Sequence, residues 1–160
     1  MIEVSRTFDA EAIKSVMLRP DMIAAIAEDG YIASDFEPNP GSDCWLEARD
    51  GSDIIGVFSV YVRNSCTLEI HVNILPEHRG RCGVIAGRKA LKWLADNAEL
   101  YHKVIAYIPA IHANIKRYAE CLGFIEEGVN RASYRKNGDI HDQWLMGITF
   151  DEIRGKRWAT

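Results

Sequence analysis

One stretch of this 160-residue chain limits the fold more than any other. An alternating strand-like run, Thr67 to Ile74, is stopped by Pro76 and followed by the basic, glycine-bearing His78-Arg79-Gly80-Arg81-Cys82-Gly83. A helical pattern runs next, from about Val84 to Asn97, with Ala86, Ala90, Leu91, Trp93 and Leu94 at inward spacing. Val104-Ile105-Ala106-Tyr107-Ile108 then reads as a buried strand, stopped by Pro109. A strand, a helix and a strand joined in this way form a crossover, which makes the two strands parallel neighbours.

The rest of the chain hangs on that pair. A first strand lies around Ile2 and Val4. Asp9 stands where an N-cap belongs, ahead of Ala12, Ile13, Val16 and Met17 at helical spacing. Leu18-Arg19-Pro20 breaks that helix, and a second one carrying Met22, Ile23, Ile26 and Ala27 ends at Gly30. Residues 34–42 are turn-formers. Cys44 to Ala48, Ile54 to Val62 and Thr67 to Ile74 are joined by short turns, an antiparallel meander. After the crossover come a helix from Asn114 to Cys121, the exit Leu122-Gly123-Phe124, and two strands over about 124–135 and 140–150. Asn137-Gly138 between them is a strong hairpin signal. The order β-α-α-β-β-β-α-β-α-β-β predicts an α/β protein with a mixed sheet and helices on both faces.

Bulk properties exclude several roles. A net charge of −4 gives no general attraction to nucleic acid or to anionic membrane. No segment approaches the ~18–20 apolar residues of a membrane span. The N-terminus is acidic and amphipathic, without a signal-peptide core. Cys44, Cys66, Cys82 and Cys121 have no metal-like spacing, and neither do His78, His102 and His141. These features fit a soluble cytoplasmic protein of one domain, 1–160, with no metal. Trp45, Trp93 and Trp144 read as core residues.

Two segments carry candidate chemistry. On the run from Thr67, Leu68, Ile70, Val72 and Ile74 share one face, while Glu69, His71 and Asn73 share the other. In a strand covered on both sides a polar row needs a reason. It lines a cleft, or that face is solvated; the loop that follows favours the cleft. Arg79-Gly80-Arg81-Cys82-Gly83 precedes a helix whose free N–H groups and dipole favour an anion. Its two arginines add charge-assisted contacts of the kind phosphates take.

Three stretches, in order, resemble the GNAT acyltransferase superfamily. Ile74-Leu75-Pro76-Glu77-His78-Arg79-Gly80-Arg81 is similar to that family's approach to its coenzyme A pyrophosphate loop. Tyr118-Ala119-Glu120-Cys121-Leu122-Gly123-Phe124 is similar to the segment after its last helix. Glu127-Gly128, Arg131, Asn137-Gly138 and Asp142 resemble the tail of the ribosomal-protein N-terminal acetyltransferase branch. A fainter resemblance is to small GNAT-like proteins of bacteriophages. The resemblance implies a GNAT fold: a mostly antiparallel mixed sheet of about seven strands, splayed between the fourth and fifth. It implies acetyl-coenzyme A as cosubstrate and a primary amine as acceptor, on a protein N-terminus, a lysine or a small molecule, in a monomer or homodimer. Direct attack would occur in a ternary complex.

The implied roles fall on particular residues. Arg79, Gly80, Arg81, Cys82, Gly83 and Val84 would hold the pyrophosphate. Backbone groups of Val72, Asn73 and Ile74 would pair with the pantetheine arm, and one N–H would steady the oxyanion. The amine needs a base: Glu69 is the first candidate, strengthened if apolar walls surround it, and His71 the second. Tyr118 is the one phenol near enough to protonate the leaving thiolate; it reads more simply as a packing aromatic. Three departures stand beside these. The family's small loop positions fall on Cys82 and Val84. Its tyrosine position is Ala119, with Tyr118 about 100° round the helix. Its helix-starting asparagine falls on His112, with Asn114 two residues on. These departures imply an alternative: a GNAT-fold module, phage-encoded in that reading, that binds or assembles without catalysing.

Overall fold

The computed structural model describes residues 1–158. Its elements are β1 (Ile2–Arg6), α1 (Ala10–Met17), α2 (Pro20–Ile26), β2 (Cys44–Asp50), β3 (Asp53–Val62) and β4 (Thr67–Ile74). They continue as α3 (Arg81–Asn97), β5 (Lys103–Pro109), α4 (Ala113–Leu122), β6 (Ile125–Lys136), β7 (Asp139–Thr149) and α5 (Phe150–Gly155). The strands form one seven-stranded sheet in the order β1-β2-β3-β4-β5-β7-β6. Only β4 and β5 pair in parallel, as the crossover requires.

Local chemistry explains most boundaries. The Asp9 carboxylate accepts from the N–H groups of Glu11 and Ala12, each at 3.0 Å, and so starts α1. Asn137 and Gly138 turn β6 into β7 with φ of 54° and 85°, the positive pair a type I′ turn demands. Three boundaries differ from the sequence reading. α2 stops at Ile26, not Gly30, because Ala27 and Asp29 bond to the β6–β7 hairpin instead. α3 begins at Arg81, three residues before Val84, because Gly80 takes the turn conformation at its cap. β7 ends at Thr149, and α5 follows: the Thr149 hydroxyl accepts from Glu152 N–H while the Glu152 carboxylate accepts from Thr149 N–H.

Helices cover both sheet faces. α3, α4 and α5 bury one face through side chains such as Leu91, Leu94, Leu122 and Phe150, against Leu68, Ile70, Val104 and Met146. Each such side chain contributes about 1.5–3 kcal/mol when fully buried. α1 and α2 cover the other face with Ile13, Val16 and Met22, over Trp45, Val57 and Leu75. Trp45 is buried, while Trp93 and Trp144 pack half-buried against the larger cluster.

The β4–β5 ladder is short. It holds Thr67 to Lys103, Leu68 to Val104 and Glu69 to Ile105, and nothing beyond. From there β4 stays with β3, as far as Ile74 opposite Gly56, and β5 stays with β7, as far as Pro109 opposite Gln143. The two prolines therefore do not open the gap: the ladder has ended before either is reached. Each strand keeps a partner on its far side, so only the facing edge groups are released. Side chains from outside the sheet, Ile26 of α2 and Ile115 and Tyr118 of α4, line the opening.

Candidate active site

The N-terminus of α3 is left open by its own backbone. Gly80 has φ 84° and ψ −131°, and no side chain caps the helix. That conformation strains any residue with a Cβ. The first helical bond runs from Val84 N–H to the Gly80 carbonyl at 3.0 Å. The N–H groups of Arg81, Cys82 and Gly83 precede it and remain free for an acceptor. Arg79 Nε donates to the Ile74 carbonyl at 3.3 Å, tying the loop to the end of β4. Arg79, Arg81 and Arg117 form no ion pair among the described residues. Arg19, by contrast, is held by Asp21 and Glu77, each at 2.6 Å.

A groove of about 450 Å³ runs from this helix end toward the gap. Val72, Ile74, Arg79, Gly80, Gly83, Val84, His112 and Asn114, all among the residues the sequence reading named for the cosubstrate, line it. Arg81 and Cys82 stand in the same first turn but outside the lining, and Asn73 lies deeper. Cys82 therefore does not stand between a ligand and the backbone. Sequence reasoning missed the contributions of Met22, Ala25 and Ile26 from α2, and of Ile115, Arg117 and Cys121 from α4. For α4 a signal existed: Asn114, Arg117, Tyr118 and Cys121 recur at the three- and four-residue spacing of one helix face.

The groove joins a smaller cavity of about 160 Å³ inside the β4–β5 gap. Ile70 to Asn73 line one wall and Ala106 to Pro109 the other, with His112 and Tyr134 at its polar end. Ala25, Ile26, Val72, His112, Ile115 and Tyr118 belong to both spaces, so the gap opens into the groove. Ala25 and Ile26 are held there by a clasp. The Asp29 carboxylate accepts from the N–H groups of Asn137 at 2.8 Å and Gly138 at 2.7 Å. These two bonds, Gly138's first, keep its carboxyl below the usual carboxylate range. Lys136 Nζ donates to the carbonyls of Ala24 and Ala27.

The polar row on β4 is not a solvated face. Glu69 and Asn73 are buried, and His71 alone is exposed. The β3–β4 hairpin brings polar neighbours to Glu69. Arg63 Nε lies 3.1 Å from Glu69 Oε2, and His71 Nε2 lies 2.9 Å from Oε1. Tyr61, opposite Glu69 in register, meets the His71 ring edge-on at 5.5 Å. Both carboxylate oxygens are engaged, while His71 lines the cavity.

Tyr118 reaches α3 across Gly87. Its hydroxyl donates to the Gly83 carbonyl at 2.9 Å, and burial pushes its phenol well above the usual range. A phenol so held is a weaker acid with its proton already shared. His112, at the start of α4, is held below the ordinary imidazole value first by burial and then by Lys136 and His141. No cluster of potential metal ligands occurs among the described residues. Nor is any helix among them long and apolar enough to cross a membrane.

No protein-family model matches the sequence, and no curated protein matches it. Solved structures match the fold. The spermidine N-acetyltransferase of Vibrio cholerae, in complex with CoA and spermine, is similar over 96% of this chain and 98% of its own, with TM-score 0.78 and 16% identity. YncA of Salmonella typhimurium, with its cofactor acetyl-CoA, is similar over 100% of this chain and 98% of its own, with TM-score 0.68 and 18% identity. A mixed sheet whose one parallel pair opens after three rungs, with helices on both faces, is the GNAT acetyltransferase fold, and this chain has it.

Proposed function

We propose that this protein is an N-acetyltransferase that moves an acetyl group from acetyl-coenzyme A to a primary amine by direct attack in a ternary complex. One observation carries the reading: the opened β4–β5 gap runs into a groove that ends on the uncapped, arginine-flanked N-terminus of α3. The groove volume, about 450 Å³, suits a cofactor-sized ligand. The residues fit coenzyme A along its length. The N–H groups of Arg81, Cys82 and Gly83, with Arg79 and Arg117 beside them, suit a pyrophosphate. The unpaired β4 edge at Val72, Asn73 and Ile74 suits the amides of the pantetheine arm. His112 and Asn114 flank the arm from α4. That two fold neighbours carry CoA or acetyl-CoA supports the same reading here.

The thioester supplies an acyl carbon open to attack; the protein must supply an amine without its extra proton. His71 is the side chain that both lines the cavity and touches Glu69. With Glu69 accepting from Nε2–H, the lone pair of His71 sits on Nδ1, which has no partner among the described residues. His71 is thus the proton acceptor and Glu69 the residue that positions it, reversing the order the sequence favoured. Arg63 holds the second carboxylate oxygen and keeps Glu69 in that role. Tyr118 forms the groove wall by its bond to Gly83 and leaves the thiolate to depart without an acid.

The test is to incubate the protein with acetyl-coenzyme A and a panel of spermidine, free lysine and a short peptide, and to read acetylation by mass spectrometry. Acetylation of at least one amine is expected. Binding of acetyl-coenzyme A with every amine left untouched would favour the non-catalytic module. Absence of binding would overturn both readings.

A further inference from the structure

Three buried polar atoms around one cavity have no partner among the described residues. Asn73 Nδ2, His112 Nε2 and Tyr134 Oη are unpaired among the described residues, and all three residues line the space between β4 and β5. Asn73 is 5% exposed and Tyr134 8%. About nine in ten buried polar groups in proteins are paired, and leaving one unpaired costs about 1–3 kcal/mol. One orphan is unremarkable in any protein. Three around a single space of about 160 Å³ describe what that space takes.

No Asp, Glu, Lys or Arg lines the cavity, and His71, which contacts Glu69, stands at its wall. Burial first, then the nearby Lys136 and His141, disfavours a proton on His112, and in its neutral form the ring nitrogen can donate or accept. Asn73 Nδ2 donates, and Tyr134 Oη does either. The remaining wall is apolar, with Ile70, Ile108, Leu122 and Phe124. Such a space disfavours an ion strongly and rewards a neutral group that both accepts and donates hydrogen bonds. An amide is that group. His71 and Asn73 are successive members of one polar row on β4, about 6.6 Å apart along the strand, so the group next to an amine at His71 is the one offered to Asn73.

We infer that the cavity selects the acceptor: it receives a neutral amide next to the reactive amine, as on a peptide-like N-terminus, and disfavours a polyamine, whose next polar group is a second ammonium. This inference rests on the acetyl-transfer reading. The two fail differently, because cosubstrate binding is measured apart from acceptor choice.

The experiment measures kcat/KM with acetyl-coenzyme A for three probes: alaninamide, 3-methyl-2-butylamine (its isosteric counterpart without the amide) and spermidine. Each is run on the wild-type protein, Tyr134→Phe and Asn73→Leu, with acetyl-coenzyme A affinity measured by calorimetry on all three proteins. Comparing each probe across proteins cancels its own basicity. Tyr134→Phe is expected to lower kcat/KM for alaninamide about ten- to a hundredfold while leaving 3-methyl-2-butylamine within about twofold. Acetyl-coenzyme A affinity should not change in Tyr134→Phe. Asn73→Leu, whose backbone stands beside the pantetheine arm, is read on the ratio of the two small probes alone, which should fall in the same direction. An equal loss for both small probes overturns the inference. So does a loss of acetyl-coenzyme A affinity in Tyr134→Phe, which would assign the cavity to the cosubstrate. A wild-type preference for spermidine that Tyr134→Phe leaves unchanged also overturns it. Failure of the wild-type protein to bind acetyl-coenzyme A would overturn the underlying transfer reading instead.

Discussion

Gly87→Ala tests how tightly α3 and α4 are fitted around the groove. On an exposed helix this substitution is stabilising by about 1 kcal/mol, because alanine loses less backbone freedom. Here a Cβ would lie 2.3 Å from Tyr118 Oη and 2.8 Å from a Leu122 methyl. Leu122 is 2% exposed and cannot swing into solvent. The Tyr118 ring is rigid and its hydroxyl bonded to Gly83, so relief requires breaking that bond or moving the helix. Overpacking costs about 1–3 kcal/mol and the lost hydrogen bond about 0.5–1.5 kcal/mol, together outweighing the helical gain. The net expectation is destabilisation of about 1–3 kcal/mol, which lowers Tm by several degrees, at about 2–4 °C per kcal/mol for a chain near this size. Urea titration or a thermal melt reads it. Because Tyr118 lines both the groove and the gap, acetyl-coenzyme A affinity should fall too. Adding Tyr118→Phe removes the nearest clashing atom and should restore part of the stability. A more stable Gly87→Ala variant with unchanged affinity would refute the reasoning.

Other outcomes follow from the same geometry. Gly80→Ala must hold φ 84° with a side chain, a cost of about 1–3 kcal/mol, or rebuild the first turn of α3; weaker acetyl-coenzyme A binding in calorimetry is expected in both cases. His71→Gln should slow turnover by about 10²–10⁴-fold and remove the acidic limb of the kcat/KM profile, whereas Glu69→Gln should lower the plateau and keep that limb; the opposite pattern would make Glu69 the base. His112 binds its proton less well folded than unfolded, so the unfolded chain takes up more protons as pH drops through about 6.5 and stability falls with it. Urea midpoints measured from pH 7.5 down to 5 should decline less steeply in His112→Gln than in the wild-type protein.

The fold was legible where a residue's neighbours in sequence determine its conformation. Asp9, Pro20 and Asn137-Gly138 act within a few residues of themselves, and their elements begin or turn where expected. The crossover from β4 to β5 was legible for the same reason. Boundaries set by tertiary contacts were not. α2 ends early because Lys136 and Asp29 join it to a hairpin more than a hundred residues away, which no local pattern reports. α5 is different: the Thr149-x-x-Glu152 box was visible, but the apolar strand running into Phe150 masked it. In the candidate site, alternation along β4 separated the polar row from the core row, and the loop pattern placed the start of α3 only to within three residues. The partners of Glu69 were hidden in the β3–β4 register, which sets Tyr61 opposite it and brings Arg63 within reach. The roof supplied by α2 was hidden as well, since Met22, Ala25 and Ile26 read only as one apolar helix face.

The central claim is that a pyrophosphate sits on the open N-terminus of α3. Calorimetry with acetyl-coenzyme A on the wild-type protein, Arg79→Ala and Gly83→Asp tests it directly. Arg79→Ala removes an unpaired cation from the groove lining. At Gly83 a Cβ meets only ordinary contacts, 3.5 Å from Ile74 and from the His78 carbonyl, and Gly83→Asp brings a carboxylate to the donors the phosphates would use. Saturable binding to the wild-type protein, weakened about ten- to a hundredfold in each variant with melting temperatures nearly unchanged, is the predicted result. Wild-type binding that survives undiminished in both variants would contradict it and move the cosubstrate off this helix end.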